Sequence, residues 1–233
     1  MKLMLIGGGD VGRGRTSYET KEIDEEIVKM TGKENPNFLF VGLASSFSDS
    51  YYDTMKLIYK DLGCTCAYLK KKNILNNPDI VKNKISDADI IYFCGGDSVK
   101  LVNDLKEYGI DKLLYEAIKN DTVIAGMSAG AIMLANKGYS DSLIIRGESD
   151  KYEFIPGLGF LNINICPHYE GDKRDELHRE IEDNTVYCLE NCTALKVIDG
   201  DISVVRCYDK HAYITKKESE IIEEDITTKV ISL

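Results

Sequence analysis

One segment carries the residue types and spacing of a nucleophilic serine. Gly126-Met127-Ser128-Ala129-Gly130 fits G-x-S-x-G. An apolar run, Thr122–Ala125, precedes it, and a helical pattern, Ala129–Asn136, follows. In that context the serine stands on a sharp strand-to-helix turn, whose neighbours must be small. The amide of Ala129 and the helix start behind it would favour the negative charge that develops on an attacked carbonyl. A helix N-cap serine is the plainer reading of the same residues.

A serine nucleophile needs a base and a group that orients the base. The chain has three histidines. His168, in Cys166-Pro167-His168-Tyr169, follows a strand pattern and is the best placed. His178 lies within a charged helical segment and His211 among terminal strands, and both read as structural. For the third member Asp141, Glu148, Asp150 and Glu190 compete, and spacing does not choose among them. Cys94-Gly95-Gly96-Asp97 is a second glycine turn after a strand pattern. The amides of Gly95 and Gly96 could complete an oxyanion hole, with Asp97 either at the substrate or as the N-cap of the next helix.

Two other patterns carry less. Gly7-Gly8-Gly9-Asp10-Val11-Gly12 fits G-x-G-x-x-G. A dinucleotide site needs a helix at once and an acid closing the second strand. Residues 13–18 read as a loop and the second strand ends in Leu43-Ala44-Ser45, so this turn is expected to wall the substrate pocket. Cys166 stands two residues from His168, but Pro167 interrupts the strand face and no second Cys/His pair has metal-ligand spacing.

The elements that must position these residues are legible in outline. Strand-like runs at Lys2–Ile6, Asn37–Leu43, Cys66–Leu69, Asp89–Phe93 and Thr122–Ala125 alternate with helical patterns at Glu22–Met30, Asp53–Leu62 and Val99–Ile118, the last broken near Gly109. Such alternation predicts a parallel sheet covered by helices. Turns at 7–12, 44–50, 95–98 and 126–130 follow the strands, and ligand sites lie beyond strand carboxyl ends. Residues 137–160 read as loop, Leu161–Ile165 as strand and Asp172–Ile181 as a charged helix. Short strands follow at Thr193–Ile198, Ile202–Arg206, His211–Thr215 and Thr227–Ile231, with Asp199-Gly200 as a hairpin turn. Glu218–Asp225 reads as a solvated acidic stretch.

At 233 residues the chain suits a single domain, 1–233, with ample core. Its net charge of −10 disfavours nucleic acid as a partner. No apolar run spans a membrane. The run Met1–Ile6 is too short for a signal-peptide core. The seven cysteines lack framework spacing, so free thiols and a cytoplasmic setting are expected. A homodimer stays open.

GMSAGA at 126–131, GYSDS at 138–142, GLGFLNINICPHYEGD at 157–172 and LENCTALKVIDGDISVV at 189–205, with the GGG and CGGD turns, run in order over nearly the whole chain. The chain thereby resembles peptidase family S51, which contains dipeptidase E and cyanophycinase. The resemblance implies a flavodoxin-like, doubly wound α/β fold of the class I glutamine amidotransferase type, with a mostly parallel sheet, helices on both faces and extra short C-terminal strands. It implies Ser128 as nucleophile, His168 as base, Asp141 in the SDS loop as third member, and Gly96 and Ala129 as oxyanion donors. Amidotransferase chemistry needs a cysteine at the elbow, which this chain lacks. The implied activity is hydrolysis of a short peptide, with an N-terminal aspartate suggested by the family, through an acyl-enzyme that requires no metal or organic cofactor. A cation should then meet the substrate carboxylate, and Arg13, Arg146 and Arg174 lie in rim segments. Asp10 and Asp97 are candidates for a free amine. The alternatives are a module that binds a small molecule on the same fold without turnover, and an esterase of α/β-hydrolase type. About 65 residues after His168 argue against the esterase.

Overall fold

The computed structural model describes residues 1–46, 48–182 and 185–233, and only the backbone of Asn76. Phe47, inside the 44–50 turn, thus lies outside the described residues. Five parallel strands form one side of the main sheet, out to its edge: β1 (Lys2–Ile6), β2 (Asn37–Val41), β3 (Thr65–Leu69), β4 (Ile90–Phe93) and β5 (Val123–Met127). They read as continuous apolar runs because a parallel sheet is buried on both faces. Leu3–Ile6, Phe38–Val41 and Ile90–Phe93 are all buried. Each fully buried Ile or Phe side chain contributes roughly 1.5–3 kcal/mol.

Beyond β5 the chain alternates between two sheets. β6 (Ala135–Ser140), β7 (Glu153–Pro156), β8 (Leu161–Cys166) and β9 (Thr185–Leu189) build a second sheet. β10 (Thr193–Ile198) and β11 (Asp201–Arg206) return to the first, β12 (Ala212–Lys217) and β13 (Ile221–Asp225) to the second, and β14 (Val230–Ser232) to the first. The orders are β14-β11-β10-β1-β5-β4-β2-β3 and β13-β12-β9-β8-β6-β7. Asp199 and Gly200, at φ 51° and 98°, make the tight turn between β10 and β11.

Among the described residues the helices are α1 (Lys21–Met30), α2 (Ser48–Asp61), α3 (Lys71–Asn76), α4 (Pro78–Ser86), α5 (Ser98–Glu107), α6 (Ile110–Lys119), α7 (Ala129–Leu134), α8 (Ser142–Ile145) and α9 (Gly171–Glu180). The expected break at Gly109 separates α5 from α6, and that glycine sits at φ 66°. α1 packs on β5 and β11, and α2 on β2 and β3. The arrangement is a doubly wound α/β fold of flavodoxin type with antiparallel additions. α7 touches β1, β4 and β5 on one side and β6 and β8 on the other. It is wholly buried between the sheets, which is why AGAIML has no polar face.

Two expectations are corrected. Residues 137–160 are not loop: β6, α8 and β7 lie there, with β6 paired to β8 and β7 paired to β6. The acidic run contains β13, whose Glu223 accepts from Tyr169 Oη at 2.6 Å and pairs with Arg174. Of the C-terminal strands, β10, β11 and β14 extend the main sheet, and β12 and β13 complete the second. Among the described residues no helix is long and apolar enough to cross a membrane.

Candidate active site

In the main sheet β1, β5, β4 and β2 are adjacent and parallel. Their carboxyl ends therefore place the turns at 7–12, 126–130, 95–98 and 42–46 side by side. Ser128 leaves β5 at φ 52°, ψ −106°, a conformation that costs about 1–3 kcal/mol for a residue with a side chain. The surrounding glycines permit it. A Cβ at Gly126 would stand 2.3 Å from the Gly130 carbonyl carbon, and one at Gly130 would stand 2.5 Å from Phe93 O. The Ser128 amide donates to Ile6 O at 2.9 Å and ties the elbow to β1.

His168 follows β8 at φ 53°, and its amide donates to Gly7 O at 2.9 Å. The second sheet thus delivers His168 to the turn after β1. Its Nε2 lies 2.9 Å from Ser128 Oγ. Its Nδ1 lies 2.6 Å from Asn191 Oδ1. Asn191 Nδ2 in turn donates to Glu170 Oε2 at 2.9 Å, and Lys210 Nζ donates to Glu170 Oε1 at 2.6 Å. This chain of bonds fixes the tautomer. A carboxylate only accepts, so the Asn191 atom facing Glu170 is the NH₂, and its carbonyl oxygen faces His168. That oxygen also only accepts, so Nδ1 carries the proton and Nε2 presents its lone pair to Ser128.

Burial, followed by the Lys173 charge, holds the His168 pKa below the ordinary histidine value, against the Asn191 bond and the Asp141 and Glu170 charges. The imidazole is therefore neutral near pH 7, as a base requires.

The expected third member, Asp141, is not bonded to His168. It stands at the N-cap position of α8 and lines the cavity before Ser128. The reason is packing on either side of it. Ser140 and Ser142, both buried, bond to each other at 2.9 Å. Ser98 joins them, with its amide 2.7 Å from Ser142 Oγ and its hydroxyl 3.1 Å from Ser140 Oγ. These serines clamp the SDS loop to the start of α5. The other contenders also fail. Glu148 pairs with Arg146 at 2.8 Å, Asp150 is exposed, and Glu190 Oε2 accepts the His211 amide at 2.9 Å. Asn191, an amide rather than one of the carboxylates expected there, is the side chain that faces His168 Nδ1. A signal existed: it lies in the polar turn ending β9, beside Glu190.

The GGG turn is a wall of this site. A Cβ on Gly8, at φ 151°, would meet Asn191 Oδ1 at 2.2 Å and the His168 ring at 2.4 Å. No helix follows the turn at once, since α1 begins at Lys21. Gly95 and Gly96 line the cavity. Gly96 sits at φ 141°, and a Cβ there would be 2.2 Å from Ala44 O. Among the described residues neither the Gly96 nor the Ala129 amide donates to a protein acceptor. Asp97 takes the capping role: its carboxylate accepts the Lys100 amide at 3.0 Å, and it does not line the cavity. Cys166 is buried, with its thiol donating to Pro167 O at 3.7 Å. Among the described residues no group of His, Cys, Asp and Glu could hold a metal.

Comparison with known proteins decides the family. The model of peptidase family S51 matches residues 3–205. The chain belongs to peptidase family S51. An uncharacterized peptidase of Bacillus subtilis (strain 168), YgaJ, is 30% identical over 208 residues, covering 86% of this chain and 85% of the relative. An uncharacterized peptidase of Listeria monocytogenes, Lmo0363, is 28% identical over 102 residues, 43% of this chain and 50% of its own. The crystal structure of a peptidase from an acI-B1 Actinobacterium superposes with a TM-score of 0.70 at 22% identity, covering 100% of this chain and 96% of that one. A putative peptidase E from Listeria monocytogenes EGD-e gives 0.66 at 19% identity, covering 89% and 98%. At these identities the two structures speak for the fold, and the S51 match for a peptidase.

Proposed function

We propose that this S51 member is a serine-type exopeptidase that cleaves short peptides, dipeptides with an N-terminal aspartate among them, through an acyl-enzyme on Ser128. One observation carries the reading. The elbow serine stands 2.9 Å from a histidine nitrogen whose lone pair is aimed at it by the Asn191 bond on the other side of the ring.

His168 Nε2 takes the Ser128 proton as Oγ attacks the scissile carbonyl carbon. The C=O π electrons move onto oxygen, and the unspent amides of Gly96 and Ala129 are the donors for that oxyanion. Loss of one such donor removes roughly 3–4 kcal/mol of transition-state stabilisation. The C–N bond then breaks, and Nε2–H gives its proton to the leaving amine. Water, deprotonated by the same nitrogen, releases the acyl group. Seven unbridged cysteines support action in a reducing compartment such as the cytoplasm.

Intact-mass labelling with a fluorophosphonate tests the reading. The wild type should gain one phosphonyl adduct, lost in Ser128→Ala and His168→Ala. A folded wild type that takes neither this probe nor a smaller sulfonyl fluoride would make the chain a binding module without turnover.

A further inference from the structure

His168 is held in a left-handed conformation, φ 53°, which a residue with a side chain keeps only where its surroundings force it. Its amide is tied to Gly7 O, and the next amide, of Tyr169, donates to Leu189 O at 2.9 Å. The two neighbouring side chains leave this turn for different sheets. The imidazole reaches Ser128 at the rim of the main sheet. The Tyr169 ring enters the core of the second sheet and is wholly buried there. The peptide that joins the two residues can therefore turn only if the Tyr169 ring turns with it.

That ring ends in a bond network built from three further elements. Tyr169 Oη donates to Glu223 Oε2 on β13 at 2.6 Å. The phenol has one proton, so His178 Nε2 on α9, 2.6 Å from Oη and 3.2 Å from the same carboxylate oxygen, is the donor to both. Thr215 Oγ1 on β12, 3.3 Å away, fills the remaining lone pair of the phenol. Burial pushes the Tyr169 phenol above its ordinary value, so it keeps the proton it donates. Arg174 on α9, one of the arginines expected to meet a substrate carboxylate, is spent on the other Glu223 oxygen. Its guanidinium lies over the Tyr169 ring, 5.2 Å from the centroid. Among the described residues none of β13 lines the cavity before Ser128, yet Glu223 is bonded to the residue that follows the base.

Resting on the serine peptidase reading, we propose that Tyr169 is a positioning residue for His168 and that Glu223 is the anchor that fixes it. Desolvation offsets most of the attraction within a network of this kind, so its use here is to hold one arrangement of the turn. The acidic strand near the C-terminus thereby sets the rotation of the His168–Tyr169 peptide, and with it where Nε2 stands before Ser128 and Nδ1 before Asn191.

The test compares Tyr169→Phe and Glu223→Gln with wild type. Tyr59→Phe is the control, because it also removes a phenol that donates to a buried carboxylate, Asp24 at 2.9 Å, but in the main-sheet core. Saturation kinetics of fluorophosphonate labelling separate the maximal rate from the half-saturating concentration. Nitrogen-15 spectra of the imidazoles, with His168 assigned by its loss in His168→Ala, report the tautomer. Tyr169→Phe and Glu223→Gln should lower the maximal rate about tenfold, the scale of a displacement of less than 1 Å, with half-saturation changed less than twofold. Both should turn the single Nδ1–H tautomer of wild type into a mixture. Tyr59→Phe should lose thermal stability with rate and tautomer unchanged. Variants of Tyr169 and Glu223 that lose only stability overturn the proposal, and so does a Tyr59→Phe that slows as much as they do. A slowed label with the tautomer intact also overturns it, because the loss then lies elsewhere than at His168. A wild type that takes no label overturns the serine reading alone, and the tautomer signal then decides the positioning role by itself.

Discussion

Gly8→Ala is the substitution whose effect can be worked furthest from the geometry. Gly8 sits at φ 151°, where an alanine costs about 1–3 kcal/mol in backbone strain. That part is shared by any glycine of positive φ. Gly32, at φ 68° with nothing within 4 Å, is the control. Gly8 carries a second burden. Its added Cβ would meet the His168 ring at 2.4 Å, where ordinary contact begins at 3.4 Å. The difference, about 1 Å, must be absorbed by the imidazole, by Asn191 or by the turn. A misplacement of about 1 Å in a catalytic group costs roughly 100-fold in rate, or about 2.7 kcal/mol of activation free energy. Both variants should lose thermal stability, by about 2–4 °C per kcal/mol at this chain length. Only Gly8→Ala should slow fluorophosphonate labelling of Ser128, by about 100-fold. The assay is the second-order labelling rate by intact mass, at a temperature where both variants are folded. Equal labelling by Gly8→Ala and wild type would refute the argument that this turn sets the His168–Asn191 geometry.

Further outcomes follow from the same contacts. The labelling rate of wild type should fall on acidification with a midpoint below the ordinary histidine value of 6.5, because burial and Lys173 disfavour the imidazolium. Asn191→Asp, which sets a carboxylate against Nδ1, should move that limb up by about one to two pH units. An unmoved limb in a pH–rate profile would deny that Asn191 faces the imidazole. Asn191→Ala should slow labelling at least about tenfold at pH 7, since the tautomer is no longer held. Asp24 offers a test of stability. It is fully buried and accepts from Thr20, Tyr18 and Tyr59 at 2.8, 3.0 and 2.9 Å. Burial lifts its pKa from 3.8 to about 6, against those bonds. The folded state therefore favours the protonated acid, and the stability this adds is present below about pH 4 and lost as pH rises through 6. The loss is about 3 kcal/mol. Denaturant titrations at pH 4 and pH 7 should show wild type losing most of that, about 2 kcal/mol, relative to Asp24→Asn, and parallel curves would contradict it.

The strand-to-helix turn at Ser128 was legible because its geometry is intolerant. Gly126 and Gly130 each face backbone closer than any side chain allows, so the glycine spacing itself encodes the turn. The break at Gly109 and the Asp199-Gly200 turn were legible for the same reason, as positive-φ positions. The second sheet was not legible. β6 contains Lys137 and Gly138 and has no clean alternation, and β13 is acidic and partly exposed. Both are strands because β8 and β12 lie beside them, which local residues do not record. Asn191 escaped for a chemical reason. The tautomer requires an acceptor at Nδ1, not a charge, and an amide oxygen supplies it as a carboxylate would.

On the proposed mechanism, an amide in this position changes what His168 does. A carboxylate would both hold the ring and stabilise the imidazolium, raising its pKa. Asn191 holds the ring, and the charge behind it, Glu170, is one amide removed and itself engaged by Lys210. Lys173 adds a like charge to the imidazolium. The result is a histidine that remains a base at lower pH and whose protonated form is the stronger acid. In amide hydrolysis the tetrahedral intermediate cannot expel an amide anion, so the amine must be protonated as the C–N bond breaks. A more acidic imidazolium gives up that proton more readily. For ester cleavage, where the alkoxide departs more easily, the same tuning brings less. On the proposed mechanism Asn191 thus supplies the acceptor that holds the His168 tautomer while leaving its imidazolium without a directly bonded carboxylate.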